Sequence, residues 1–340
     1  TMLYGLDDIT IIPSVVTYIE HRGDCSVNYQ ETGMLPLFTA PMASVINDKN
    51  WELYANQQIN TIIPRTIGYD TRLKLCDKTF VAMGLDELDE FVKESELKGT
   101  VKICLDIANG HMKKAIDLCS KAKEKFGDKL ILMAGNIANP ETYIEYAKAG
   151  VDYIRVSIGQ GSVCTTAANS SVFYGNASLI MGCRDWKDKV LVNSGIIYKS
   201  VPKIVADGGF KNFDQIIKAL ALGADYVMLG SIFAKSQESL VGDNVSKKRY
   251  IHKKVVEREH FGMSTKKAQL IMGKSKDQLK TSEGISIMLP VEYKLATWVD
   301  NFKHYLREAM SLTNIRNIED FIGNPVIEHI TPSAYFSYYK

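Results

Sequence analysis

No stretch of this chain reaches the ~18–20 consecutive apolar residues that a membrane-spanning helix needs, and the N-terminus carries no signal-peptide pattern. Charge of one sign is scarce as well: 41 Lys and Arg against 39 Asp and Glu leave a formal net charge of +2. With no Lys/Arg stripe, that balance gives nucleic acid no electrostatic footprint. The run Lys247-Lys248-Arg249 with Lys253-Lys254 reads as a solvated face. Cysteine is sparse, six in 340 residues. Cys25, Cys76, Cys104, Cys119, Cys164 and Cys183 show neither CxxC nor Cys/His ligand spacing, which argues against zinc, and a chain this long needs no disulfide staples. Free thiols and a cytoplasmic location are the expectation.

What is present is an alternation. From about 35 to 235, short apolar runs alternate with amphipathic stretches. The expected strands are Leu35–Ala40, Asn60–Ile63, Thr79–Met83, Val101–Asp106, Leu130–Ala134, Val151–Val156, Lys203–Ala206 and Asp225–Leu229. Most are continuous apolar runs, as parallel strands covered on both faces require. Eight of them separated by helices predict a (β/α)8 TIM barrel, a single domain over 1–340. Asn139-Pro140-Glu141 reads as a helix start and Gly150 as its end; Asn212 and Gly223 bracket a second helix. Gly150–Ser157 and Gly223–Gly230 echo each other, as repeated α-to-β units would. After strand eight, 242–290 is polar and Lys-rich without clear alternation and reads as a mobile flap over the barrel mouth. A C-terminal helix (Thr297 to Met310) and a tail ending in Tyr335, Phe336, Tyr338 and Tyr339 complete 296–340.

The polar residues fall at the strand ends where such barrels place chemistry: Asp106 and Asn109, Asn136, Ser162 and Cys164, Asp207, Ser231. Ala206-Asp207-Gly208-Gly209 and Gly230-Ser231 follow the seventh and eighth strands. They read either as a phosphate cradle of exposed N–H groups or as glycines that merely allow tight turns. Asp207, acceptor-only when ionised, suits a sugar diol. Cys164 sits in Gly159-Gln160-Gly161-Ser162-Val163-Cys164-Thr165-Thr166, a glycine-rich strand end that suits a nucleophilic thiol, whereas the other five cysteines read as packing. On the flap, Gly262-Met263-Ser264 and Ser282-Glu283-Gly284 place one acid between small residues, a weak signal when taken alone.

Taken together, these stretches resemble the IMP dehydrogenase/GMP reductase family over most of the chain. The same resemblance runs through Leu6–Pro13, Ala40-Pro41-Met42, Asp106-Ile107-Ala108-Asn109-Gly110 and Met133-Ala134-Gly135-Asn136. The reductases are the nearer match: the chain has no room for a regulatory insert, and 264–283 has neither Arg nor Tyr to activate water. The resemblance implies a tetrameric, NADPH-dependent enzyme converting GMP to IMP and ammonia, with Cys164 attacking purine C2 and Thr166 and Glu283 protonating the leaving ammonia. Ser162, Gly208, Gly209, Gly230 and Ser231 would then hold the 5′-phosphate, Asp207 the ribose, and Met263 and Ser264 the base. Asp106 and Asn136 would lie near the nicotinamide. The carbonyls of Gly159, Gly161 and Cys164 would take a monovalent cation, K+.

Four departures stand out. The family's aspartate after Ala-Pro-Met is Ala43, its Tyr-Arg before Gly-Met is His260-Phe261, and its arginine after Cys-Thr-Thr is Ala167. The stretch 178–203 is about ten residues longer than in family members. A deoxynucleotide or modified purine substrate therefore stays open. So do an IMP dehydrogenase-like oxidation with NAD, an FMN-dependent barrel, and a nucleotide-binding homologue without catalysis.

Overall fold

A computed structural model describes residues 2–193 and 198–338; Tyr339 of the tail lies outside them. Eight parallel strands follow one another around the centre: β1 (Leu37–Thr39), β2 (Ile62–Ile63), β3 (Phe80–Met83), β4 (Val101–Leu105), β5 (Leu130–Ile137), β6 (Tyr153–Val156), β7 (Lys203–Asp207) and β8 (Tyr226–Leu229). Each pairs with its neighbour in sequence from β2 to β8, and β8 pairs with β1. The remaining seam is closed by Asn60, which donates its N–H to Leu37 and accepts from Thr39 at 3.0 and 2.9 Å. The sheet is thus a barrel with helices outside it, as the continuous apolar runs predict.

Side-chain alternation along each strand explains why one end is plugged and the other reactive. Phe38, Phe80, Tyr153 and Tyr226 meet edge-on or tilted inside the lower barrel, ring centres 5.1–5.9 Å apart. Below them, the Tyr29 hydroxyl donates to the Asp225 carbonyl at 2.5 Å. Two residues further along the strands the inward positions become polar: Arg155 follows Tyr153, and Asp106 follows Cys104. The aromatic layer keeps water out below; the layer above it faces the mouth.

The glycine signals hold. Gly150 (φ 85°) and Gly223 (φ 116°) end helices Thr142–Ala149 and Phe213–Leu222 in the left-handed conformation, where a Cβ is disfavoured. The first of these helices starts later than expected: Asn139 caps from outside it, its Oδ1 accepting the Glu141 N–H at 3.0 Å.

The flap is more ordered than its composition suggests. It holds a three-stranded antiparallel sheet, β9 (Lys248–Ile251), β10 (Lys254–Phe261) and β11 (Ser286–Pro290), with helix Lys266–Ile271 between the last two. None of the three is an apolar run: β11 alternates exposed and half-buried residues, β9 is mostly exposed, and β10 passes from solvent at Lys254 into the interior at Phe261 through charged residues. Arg258 of β10 is fully buried and pairs with buried Asp243 at 2.5 Å, tying the sheet to the segment leaving the barrel. The C-terminal helix runs Leu295–Leu312. Among the described residues no helix is long and apolar enough to cross a membrane.

Candidate active site

The strand ends and the flap enclose a cavity of about 570 Å3. Every candidate residue from the sequence except Asn109 borders it: Asp106, Asn136, Gly159, Gly161, Ser162, Cys164, Thr166, Asp207, Gly208, Gly209, Gly230, Ser231, Met263, Ser264 and Glu283. Cys164 is partly exposed there, while the other five thiols are free and buried. Burial pushes the thiols of Cys104 and Cys119 up to about 12, which removes them as nucleophiles at neutral pH.

Cys164 Sγ lies 3.4 Å from Thr166 Oγ1, and that hydroxyl lies 3.5 Å from Glu283 Oε2. These three residues come from two segments 117 positions apart, and main-chain bonds hold them in register. The Thr165 N–H donates to the Glu283 carbonyl at 3.0 Å and the Ile285 N–H to the Val163 carbonyl at 2.9 Å. The Cys164 loop is therefore bridged antiparallel to the flap at Cys164 and Gly284. Gly161 turns the loop, its carbonyl accepting the Cys164 N–H at 2.9 Å.

Across the mouth stands a charged network that the motifs did not reveal. Arg155 of β6 donates from Nη1 to Asp106 Oδ1 at 2.6 Å and from Nη2 to Asp207 Oδ2 at 2.8 Å. Asn136 Nδ2 reaches the same Asp207 oxygen at 2.7 Å. Burial opposes the guanidinium charge, but the two carboxylates more than offset it and hold Arg155 firmly protonated. Gly135 makes room for it, since a Cβ there would lie 2.8 Å from the Arg155 Cβ. A signal for this residue did exist: an arginine inside an otherwise apolar parallel strand must find a partner. Beside Asp106, Arg65 Nε is buried with no hydrogen-bond partner, and Glu87 stands 3.6 Å from it.

Directly after Asp207, Gly208 and Gly209 adopt φ of 98° and 87°. His260, which replaces the family's tyrosine, is buried with its Nδ1 2.7 Å from the Ser44 hydroxyl. Ala43 and Phe261 pack together with Ala268 in one small cluster, so two of the departures from the family pattern fill the same space. Ala167 lies under Gly159, where a Cβ would meet its methyl group at 2.4 Å.

A comparison with protein families matches residues 79–337 to the IMP dehydrogenase / GMP reductase domain. The chain belongs to this family. It is 29% identical to the GMP reductase of Onchocerca volvulus, over 74% of this chain and 65% of that protein. It is 32% identical to the inosine-5′-monophosphate dehydrogenase of Chlorobaculum tepidum, over 69% of this chain and 46% of the relative. The GMP reductase of Mesoplasma florum is 24% identical over 91% and 92% of the two chains. The chain thus spans less than two thirds of the first two relatives' length. The barrel is the fold expected of that family.

Proposed function

We propose that this protein reductively deaminates GMP to IMP and ammonia, or a close analogue such as dGMP to the corresponding deoxynucleotide and ammonia. The observation that carries this reading is the Cys164–Thr166–Glu283 contact chain, in which the only partly exposed thiol among the described residues meets an acid on a flap lacking Arg and Tyr between 264 and 283.

In this reading the Cys164 thiolate adds to purine C2. Thr166 and Glu283 deliver a proton to the exocyclic amine, because an amine leaves readily only when protonated. The C–N bond breaks, ammonia departs, and a purinyl thioimidate remains on Cys164. NADPH, when bound, supplies a hydride to C2. The new C–H bond forms, the C–S bond breaks, and IMP leaves with the thiolate regenerated. One guanine nucleotide, one NADPH and two protons give IMP, NADP+ and ammonium.

Ser162, Gly208, Gly209, Gly230 and Ser231 hold the 5′-phosphate in this assignment. Asp207 takes the ribose through Oδ1, since its other oxygen is held by Arg155 and Asn136. Met263 and Ser264 contact the base. The far side of the cavity suits a nicotinamide cofactor in this reading: Asp106 and Asn136 border it, and Arg65 lines it beside them. The carbonyls of Gly159, Gly161 and Cys164 would receive K+; Gly161's keeps one lone pair free beside its bond to Cys164. By the same resemblance the protein works as a homotetramer.

The deciding experiment offers GMP, dGMP, IMP and XMP with NADPH, NADH, NADP+ and NAD+ and follows the purine product by chromatography. IMP and ammonia formed from a guanine nucleotide, and abolished by Cys164→Ala, support the reading. NADH formed from IMP overturns it.

A further inference from the structure

Gln269, on the flap helix Lys266–Ile271, is 5% exposed and borders the cavity, yet the proposed reaction gives it no part. Its Nε2 donates to the Ser264 carbonyl at 3.1 Å and to the Lys280 carbonyl at 3.2 Å. Its Oε1 accepts from the Lys280 N–H at 2.9 Å and from Lys274 Nζ at 3.3 Å. Those bonds use both amide hydrogens and both lone pairs of the side chain. Three of the four go to main-chain groups, and they join two separate segments of the flap. An apolar side chain of the same length would fill the space without any polar group to desolvate. The amide therefore acts as a strut between the segments.

We propose that Gln269 is a positioning residue for proton delivery. By clamping the main chain of Lys280 to that of Ser264, it keeps the Glu283 carboxylate in step with a base lying on the 263–264 turn. The inference rests on the proposed function and adds how base contact and acid are held in one frame. Ser264 belongs to the turn assigned to the base, and Lys280 lies shortly before the assigned acid. Main-chain bonds at Glu283 and Ile285, to Thr165, Val163 and Gly262, fix only the far end of the acid's segment. Gln269 fixes its near end. It works through Glu283 and the turn, not on the reacting atoms, so its loss should weaken the step that needs the acid and spare the one that needs only the thiol.

Two reactions of the full chain separate these steps. GMP turnover needs a proton on the departing amine. 2-Chloroinosine 5′-monophosphate does not: Cys164 Sγ bonds to C2, the C–Cl bond breaks, and chloride leaves with the bonding pair. Gln269→Met, similar in length but without the amide, should lower kcat for GMP roughly 10- to 100-fold while KM stays within about threefold. Labelling of Cys164 by the chloro nucleotide, followed by mass spectrometry, should keep its rate within about threefold of wild type. Gln269→Glu still accepts from Lys280 and Lys274 but no longer donates to the two carbonyls. Its kcat should fall between the two, and it serves alone where Gln269→Met does not fold by thermal melting. Unchanged kcat in Gln269→Met, or in Gln269→Glu serving alone, overturns the inference and leaves the reaction standing. So does a labelling rate that falls in proportion to kcat, which is what a merely loosened flap would give. A wild type that fails to turn over GMP, or escapes labelling at Cys164, overturns the proposed reaction, and the inference falls with it.

Discussion

The Thr165 N–H donates to the Glu283 carbonyl at 3.0 Å, and this bond between the Cys164 loop and the flap sets where the acid stands relative to the thiol. Glu283's side chain is exposed and its carboxylate only reaches Thr166 at 3.5 Å. Main-chain register, not side-chain packing, therefore positions it.

Gly284 is the point at which that register is vulnerable. A Cβ there would lie 2.8 Å from the Val163 carbonyl oxygen, a backbone atom that cannot move away alone. Gly284→Ala should separate flap from loop by a few tenths of an ångström. Since misplacement of reacting groups is expensive, kcat should fall roughly 10- to 100-fold while the nucleotide KM stays nearly constant. Steady-state kinetics on a variant with an unchanged melting temperature checks this; a rise in KM with kcat intact contradicts it.

Thr166 and Glu283 form a single relay in the proposed reaction, so their losses should not add. Thr166→Val and Glu283→Gln should each lower kcat by about 100-fold or more, and the double variant should be little worse than either. Multiplied losses in the double variant would show that the two act independently.

The barrel could be read from the sequence because its strands are covered on both faces and so appear as apolar runs such as Leu130–Ala134. Cys164 was legible from its glycine-rich loop. The flap was not, because β11 buries every second residue only in part and its polar positions blur into loop composition. Nor was the Asp106–Arg155–Asp207 network, whose members are 49 and 52 positions apart and meet only through strand register. The Ser44–His260 pair spans 216 positions and has no local signature at all.

That network gives a stability prediction. Arg155 has a side chain 7% exposed and each carboxylate 15%. Arg155→Met leaves two carboxylates close together with no cation between them. It should cost on the order of 3 kcal/mol, as breaking a buried pair does. Arg155→Lys should recover part of this, because one ammonium cannot span both carboxylates. Adding Asp106→Asn to Arg155→Met should recover some stability, since one uncompensated charge disappears. Urea unfolding of the four proteins measures all three effects; equal stability of Arg155→Met and wild type would contradict the pairing.

His260 also leaves a mark on stability in acid. Its pKa falls from an ordinary 6.5 to about 3 in the fold, through burial first and the Arg258 charge second. Below 6.5 the unfolded chain takes up a proton at this position that the folded chain refuses. Stability owed to the neutral ring is therefore complete above pH 6.5 and drains away as pH falls toward about 3, at a slope approaching about 1.4 kcal/mol per pH unit. His260→Gln cannot titrate, so the difference in unfolding free energy between wild type and variant should change steadily across that window, in the variant's favour toward acid, and level off above it. A pH-independent difference would mean that the imidazole is solvated in the folded protein.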